Sequence, residues 1–279
     1  MVKVLDSGFF CTLQDEGRFW LRNKGVPVAG PMDQYSASMA NSLLENEANA
    51  AVMEITMNGP KLEFESPTYI AITGAELSPK LNDKPITGYH VHKIEAGDIL
   101  SFGKWINGLR AYLAVKDGFL TPMVLGSRSM YKPITMSSGI KEHMNIPINS
   151  YKDFTPKLMD IKPAPFHKEQ VLTVFRGPEY DKLTDKQLEK IFSMDFTVSK
   201  ENNRMGYQLK EFVPEHSISM LTSATLPGTV QLTPAGKLII LMRDGQTTGG
   251  YPRILQLSQR SISILAQKKF RDIIEFKLR

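Results

Sequence analysis

The sequence predicts a mainly β protein with few helices. Most apolar runs are short and end at clusters of Gly, Pro, Asn or Asp, which is typical of strands joined by turns. Only two segments show a clear helical period, and no apolar run is long enough to span a membrane. These observations favour β-barrels or sandwiches over alternating strand and helix units.

The strands are predicted from alternation and from β-branched or aromatic residues. In segment 52–57, three apolar side chains fall on one face while Glu54 and Thr56 fall on the other. The other predicted strands are 69–73, 99–102, 110–115, 171–175, 229–232, 238–242, 254–257, 262–264 and 273–276.

One helix is predicted in each half of the chain. Segment 31–44 begins with a proline and carries Asp33 in its first turn. Segment 184–192 begins with Thr184 and Gln187 at the spacing of a capping box. One helix among many strands in each half hints at a duplicated barrel.

The domain boundary is predicted in a stretch with weak periodicity, 127–168, which is rich in Pro, Ser, Met and Lys. Prolines 156, 163 and 165 cluster at its end. Because 279 residues suit two domains, we expect a first domain at 1–160 and a second at 161–279.

Composition predicts a cytoplasmic globular protein. The net charge of +5 is spread in mixed sign, so we expect no nucleic-acid partner. The N-terminus has no apolar leader, and the single cysteine, Cys11, excludes an internal disulfide and fits a reducing compartment. Cys11 is either a nucleophile or, more commonly for a lone cysteine, a small buried hydrophobe.

The most distinctive segment is 244–252, Asp-Gly-Gln-Thr-Thr-Gly-Gly-Tyr-Pro, which follows an apolar strand. A plain hairpin needs only a pair such as Gly-Gly at its turn, whereas this turn adds Asp244, Thr247, Thr248 and Tyr251. Adjacent glycines also let backbone N–H groups approach a bound group closely. The residues leave open whether this is a decorated hairpin or a binding loop.

Three further segments carry candidate anion-binding groups. Segment 14–18 packs charges around a glycine, and segment 25–33 runs into a helix N-terminus, which suits an anion unless Asp33 already fills that role. Arg204 stands beside a glycine and an aromatic residue, and arginine binds carboxylates and phosphates through two hydrogen bonds. His90 and His92 could share a strand face, but no third ligand stands at a telling spacing, so we predict no metal site.

The order of these segments resembles one family across nearly the whole chain. The matching stretches are 13–18, 25–33, 40–44, 54–56, 72–75, 97–98, 109–115, 125–129, 203–207 and 246–252. They resemble the KipA-like, biotin-dependent carboxyltransferase-like family, also called allophanate hydrolase subunit 2, whose bacterial members serve as the C subunit of 5-oxoprolinase. Gln208, Met130 and Gly245 depart from it, since the family often has Arg, Thr and Arg at those positions.

The resemblance implies two cyclophilin-like β-barrel domains with few short helices. It also implies an ATP-dependent complex that cleaves the lactam 5-oxoproline to L-glutamate, with a KipI-like B subunit, together with a LamB/YcsF-like A subunit, as partners. ATP would be bound by this chain or with a partner protein. One alternative is transfer of a carboxyl group from carboxybiotin to urea or a related amide, and only that alternative involves biotin. Another is a non-catalytic protein that binds a KipI-like kinase inhibitor.

On this hypothesis we assign catalytic roles to Arg204 as an anion clamp, to Asp244 and to Glu54 as a base. The predicted substrate-binding residues are Gln14, Asp15, Arg18, Pro31, Met32, Asp33, Gly206, Tyr207, Gln246, Thr247, Thr248, Gly249, Gly250 and Tyr251. A buried structural role is the alternative for Glu54.

Overall fold

The computed structural model describes all 279 residues, which form two compact units. The first unit comprises Met1–Arg18 and Ala29–His167, and the second comprises Phe19–Val28 and Lys168–Arg279. Phe19–Val28 was predicted to belong to the first domain, whereas these residues group with the second unit. The chain therefore contributes a short early segment to the C-terminal unit.

The first unit consists of two antiparallel sheets. Its strands are β1 Val2–Asp6, β2 Phe10–Gln14, β3 Val52–Thr56, β4 Lys61–Phe64, β5 Thr68–Glu76, β6 Pro79–Leu81, β7 Lys84–Pro85, β8 Val91–Ile94, β9 Ile99–Phe102, β10 Asn107–Val115 and β11 Asn145–Ile146. One sheet has the order β11-β1-β4-β9-β6-β7 and the other β2-β3-β10-β5-β8.

The main core of this unit lies between the two sheets, where Phe64 of β4 packs with Ile55 of β3. The helix α1, Gln34–Leu43, covers the opposite face of the five-stranded sheet. Strand β10 is therefore buried on both faces, with Leu113 in the main core and Tyr112 under the helix. The helix begins later than predicted because Asp33 is its N-cap, whose side chain accepts a hydrogen bond from the Ser36 N–H.

The second unit contains a closed barrel. Its strands are β12 Val171–Arg176, β13 Phe196–Asn202, β14 Gly206–Phe212, β15 Ser223–Ala224, β16 Thr229–Leu232, β17 Lys237–Leu241, β18 Thr248–Gly249, β19 Arg253–Leu257 and β20 Ile273–Leu278. The barrel order is β12-β19-β16-β17-β14-β13-β20, closed by parallel pairing of β20 with β12, while β15 and β18 form a separate ribbon. The helices are α2 Asp185–Ser193 and α3 Gln259–Ala266, with 3-10 turns at Arg22–Lys24 and Tyr180–Lys182. The mainly β prediction is confirmed.

Two local predictions in this unit have opposite outcomes. The capping box of α2 is confirmed, since Thr184 and Gln187 each bind the other's backbone N–H. The predicted strand 262–264 is wrong, because these residues lie in α3, which is capped by Ser258. The alternation Ile-Ser-Ile imitates a strand over three residues, a window too short to separate the two periods. None of the helices is both long and apolar enough to cross a bilayer.

The turn between β16 and β17 predicts a specific sensitivity to substitution. Gly236 has a φ of +84°, and a Cβ placed there would lie 1.9 Å from the Val213 carbonyl oxygen. Gly25 has a similar φ of +78° but nothing within 4 Å of such a Cβ. We expect Gly236→Ala to lower the free energy of unfolding by about 3 kcal/mol or more, from both strain and overlap. Gly25→Ala, the matched control, should cost about 1 kcal/mol from strain alone. Equal losses in urea unfolding would contradict the overlap.

Candidate functional site

In the first unit, the predicted residues meet around the turn that precedes α1. Glu54 is 1% exposed, and its Oε2 accepts hydrogen bonds from the Met32 N–H at 2.7 Å and from the Tyr112 hydroxyl at 2.9 Å. The same hydroxyl accepts a bond from the Asp33 N–H at 2.7 Å. Arg110 Nε lies 3.7 Å from Glu54 Oε1. The carboxylate of Glu54 therefore fixes the backbone of the turn that leads into the helix.

The phenol of Tyr112 is an obligatory donor in this network. Burial, followed by the negative charges of Glu54 and Asp33, raises the pKa of Tyr112 well above its ordinary value. The hydroxyl proton therefore stays in place and points to Glu54. Tyr112 was not among the predicted site residues, although it belongs to the predicted strand 110–115 and lies on the side of that strand that faces the helix.

A second buried carboxylate, Asp15, binds the loop at 127–129. Its Oδ1 accepts from the hydroxyls of Ser127 and Ser129, the latter at 2.7 Å, and its Oδ2 accepts from the Arg128 N–H at 2.6 Å. The Arg18 side chain is 1% exposed, and its Nε donates to the Val124 carbonyl at 3.1 Å. The Gly-Ser-Arg-Ser motif marked both serines as part of the resemblance, but gave no sign that they bind Asp15.

Gln14 extends the same network to the turn. Its Nε2 donates to the Met130 carbonyl at 3.2 Å, and its Oε1 accepts from the Gly30 N–H at 3.0 Å. The seven predicted residues of this unit are all buried: Gln14, Asp15, Arg18, Pro31, Met32, Asp33 and Glu54. Their geometry suits the positioning of backbone groups, since the side chains of Gln14, Asp15, Arg18, Asp33 and Glu54 already bind partners inside the unit.

Removal of the Tyr112 hydroxyl should measure the strength of this network. We expect Tyr112→Phe to lower the free energy of unfolding by about 1–3 kcal/mol, because it removes the acceptor of the buried Asp33 N–H and a donor to Glu54. Tyr35→Phe is the matched control, because Tyr35 is 37% exposed, and it should change stability by less than about 0.5 kcal/mol. Chemical denaturation of both variants decides the point, and an unchanged Tyr112→Phe protein would refute the role of the hydroxyl.

In the second unit, Arg204 and Asp244 form a buried bidentate ion pair. Arg204 Nε donates to Oδ2 at 2.8 Å and Nη2 donates to Oδ1 at 2.9 Å, with side-chain exposures of 7% and 10%. The backbone repeats the link, since the Asp244 N–H donates to the Arg204 carbonyl at 2.9 Å. Both ends of the pair are thus fixed, and the loop 244–252 starts from a rigid point.

The exposed part of the predicted site follows this anchor. Gln246, Thr248, Gly250 and Tyr251 are exposed and Thr247 is half-buried. The loop is held from one side by Thr225, whose hydroxyl donates to the Gln246 carbonyl and whose N–H donates to the Thr247 carbonyl. Hydroxyl and amide groups at 246–250 are therefore presented by a braced loop and can contact a small molecule.

Two contacts near this loop could not be predicted from the sequence. A Cβ at Gly249 would lie 2.4 Å from Gln231 Nε2, a buried amide nitrogen that has no hydrogen-bond partner. Arg22 Nη2 donates to the carbonyls of Thr225 and Gln246 at 2.6 and 3.3 Å. No local pattern links Arg22 to a loop more than two hundred residues later.

Tyr251 lines a cavity of about 320 Å³ together with Gly250, Pro252 and the segment His216–Met220. The ring of His216 is held by nearby backbone groups, with Nε2 at 3.1 Å from the Leu232 carbonyl oxygen and Nδ1 accepting from the Ile218 N–H.

Two other predicted substrate-binding residues, Gly206 and Tyr207, belong to the barrel. Tyr207 is fully buried, and its hydroxyl donates to the Lys268 carbonyl at 3.2 Å, while Gly206 pairs with Leu241.

The other candidate groups are separate from these two sets. Burial raises the pKa of Cys11 to about 12, so its thiol is not a nucleophile at neutral pH. The rings of His90 and His92 lie 5.0 Å apart, and His92 Nε2 lies 2.7 Å from the Thr87 carbonyl oxygen. No group of three or more His, Cys, Asp or Glu side chains is placed to hold a metal ion.

Comparison with known proteins places these features in a family. The model of the carboxyltransferase domain, subdomain A and B, matches residues 24–278. The chain belongs to this family. It is 31% identical to the C subunit of 5-oxoprolinase from Escherichia coli strain K12, over 99% of this chain and 90% of that protein. The resemblance inferred from the sequence is thereby confirmed.

Solved structures show the same fold for this carboxyltransferase-family chain. TTHA0988 superposes with a TM-score of 0.90 at 25% identity, and the K. lactis urea amidolyase with a TM-score of 0.87 at 28% identity. Both alignments cover 99% of this chain. The chain spans 55% of TTHA0988 and 18% of the urea amidolyase.

A double-mutant cycle should show that burial makes the Arg204–Asp244 pair strong. We expect Arg204→Met to lower the free energy of unfolding by about 3–5 kcal/mol, because it leaves a buried carboxylate without its cation. The double variant Arg204→Met/Asp244→Leu should be more stable than the sum of the single changes predicts. The surface pair Arg260–Glu169, with an arginine side chain 61% exposed, is the matched control, and its coupling should not exceed about 1 kcal/mol. Additive effects at 204 and 244 would contradict the interpretation.

Proposed function

We propose that this chain is the C subunit of an ATP-dependent 5-oxoprolinase complex that cleaves 5-oxoproline to L-glutamate. The main support is the extent of the match with the E. coli protein named as that component of 5-oxoprolinase, which covers 90% of the relative. The match with the urea amidolyase also covers 99% of this chain, but it covers only 18% of that larger protein. The extent of the two matches therefore favours the former reaction.

The chemistry asks for donors placed where negative charge develops. An unstrained lactam resists hydrolysis at neutral pH. Transfer of the γ-phosphoryl group of ATP to its carbonyl oxygen would release ADP and the amide proton, and the phosphorylated imidate would be attacked by water more readily. Cleavage of the C–N bond and hydrolysis of the resulting acyl phosphate would then release L-glutamate and phosphate. Negative charge then builds on oxygen and phosphoryl groups, which preorganised donors stabilise. The segment 246–251, exposed at Gln246, Thr248, Gly250 and Tyr251, supplies the hydroxyls of Thr247 and Thr248 together with the Gly250 N–H group.

Within this proposal the buried residues act by positioning. Arg204 and Asp244 hold the start of the loop, and Glu54 holds the turn before α1. The predicted roles of Arg204 as an anion clamp and Glu54 as a base remain predictions. We place the complex in the cytoplasm. Its other members would be a KipI-like B subunit and a LamB/YcsF-like A subunit, and ATP would bind to the assembled complex.

The direct test is release of glutamate from 5-oxoproline by the three co-purified subunits. We expect release only when ATP and all three subunits are present. Asp244→Asn should lower kcat/KM about 10- to 100-fold while the complex still forms, because the loop loses its anchor. Leu221→Ala, at a side chain 89% exposed, is the matched control in the same unit and should leave turnover unchanged.

Two results would count against the assignment. If the complete complex releases no glutamate with ATP, the proposed reaction is wrong. If Arg204→Ala and Asp244→Ala both turn over at the normal rate, these residues have no part in it.

A carboxyltransferase role is the second candidate. The matched family model is described as a carboxyltransferase domain, and the chain is also similar to the K. lactis urea amidolyase. This role would need a biotin carboxylase and a biotin carrier from other proteins. Carboxylation of urea by the chain with those components, without glutamate formation from 5-oxoproline, would favour it.

A further inference from the structure

The second unit contains a groove that the predicted site does not use. Its volume is about 540 Å³, within the usual range for small-molecule sites, and all of its lining residues belong to this unit. Phe19, Trp20, Val28, Phe175 and Leu226 form much of its wall. The early segment Phe19–Val28, which groups with the second unit, thus supplies one side of the groove.

Trp20 lines this groove with an exposed side chain and a strained backbone conformation. Its side chain is 95% exposed, and its φ of +65° lies in the left-handed region that non-glycine residues avoid. Water-exposed tryptophan and strained backbone are each costly, and strain of this kind concentrates at ligand sites. Leu226, 56% exposed, and Phe175, 39% exposed, add apolar surface to the same groove.

The charge of the groove has one sign. Two arginines, Arg22 and Arg243, line it, and no Asp or Glu does. Arg22 forms no ion pair: its Nη2 donates to two carbonyls, its Nη1 is buried without a hydrogen-bond partner, and burial lowers its pKa. Arg243 is 4% exposed, and its Nη2 donates to Gln259 Oε1 at 3.2 Å. A half-buried guanidinium without a carboxylate gains stability from an anion.

We propose that this groove binds a small organic anion, with its phosphate or carboxylate near Arg22 and Arg243 and its flat or apolar body against Trp20. Guanidinium groups are the usual partners of both head groups, and aromatic rings bind flat bodies by stacking. A nucleotide such as ADP and a cyclic carboxylate such as 5-oxoproline share this chemistry. The choice of these two ligands rests on the reaction proposed above, whereas binding is measured on this chain alone and is therefore distinguished from turnover by the complex.

The chain offers a built-in reporter for binding. It has two tryptophans, so Trp105→Phe leaves Trp20 as the only one. We expect the fluorescence of this variant to change saturably on titration with ADP or with 5-oxoproline, and competition between the two will show which binds more tightly. Inorganic phosphate, the head group alone, should bind at least about tenfold more weakly because it gains nothing from the apolar wall.

Two groove variants, measured by calorimetry, separate the head group from the body. Arg22→Gln should weaken binding about tenfold or more, and Trp20→Ala roughly fivefold. Arg176→Gln and Leu221→Ala are matched controls, because both residues are exposed in the same unit and neither lines the groove. Thermal unfolding checks each variant, and if Arg22→Gln fails to fold, Trp20→Ala still decides.

Three outcomes would overturn the proposal. In the first, neither ADP nor 5-oxoproline changes the Trp20 signal. In the second, inorganic phosphate binds as tightly as ADP and 5-oxoproline, or the Arg22→Gln and Trp20→Ala variants bind these ligands as tightly as the control variants do. In the third, the Trp20 signal responds only to the partner proteins of the complex and Trp20→Ala abolishes their binding, which would make the groove a protein interface.

Discussion

The buried ion pair between Arg204 and Asp244 is the constraint on which the candidate site depends. It lies where β17 ends and the exposed loop begins, and it is made twice, by side chains and by backbone. A charge pair with so little exposure is costly unless its geometry is good, and here both carboxylate oxygens are used. The loop can therefore include the adjacent glycines Gly249 and Gly250 and still keep its position.

Buried carboxylates have the same task in the first unit. Glu54 and Asp15 bind backbone N–H groups and hydroxyls of segments distant in sequence. Each replaces several hydrogen bonds to water, so removal of one partner leaves a buried group unsatisfied. Several residues that carry the family resemblance thus form an internal scaffold, and the accessible polar groups are concentrated at 246–251 and at the groove lined by Trp20.

Local patterns predicted much of the fold but few of the contacts within the candidate site. Alternation identified β3, short apolar runs identified β10 and β19, and the Thr184–Gln187 spacing identified the start of α2, because these signals arise from neighbours in sequence. The Ile-Ser-Ile run at 262–264 misled, because three residues are too few to distinguish the period of a strand from that of a helix.

The site depended on long-range contacts that no single sequence reveals. Motifs singled out Asp15, Glu54, Arg204 and Asp244, but they did not indicate that these residues bind Ser129, Tyr112 and one another. Nor did any pattern indicate that Phe19–Val28 leaves the first unit, or that Arg22 binds the carbonyl of Gln246. Such contacts arise from how the strands are ordered in space, which is decided by packing.

The most direct measurement for the central claim is hydrogen–deuterium exchange across the loop in the assembled complex. If the anchored loop contacts the substrate, 5-oxoproline should slow exchange at the amides of 246–251 in the wild-type chain, and much less with Asp244→Asn. Protection confined to other segments, with 246–251 unchanged on addition of 5-oxoproline, would contradict the account.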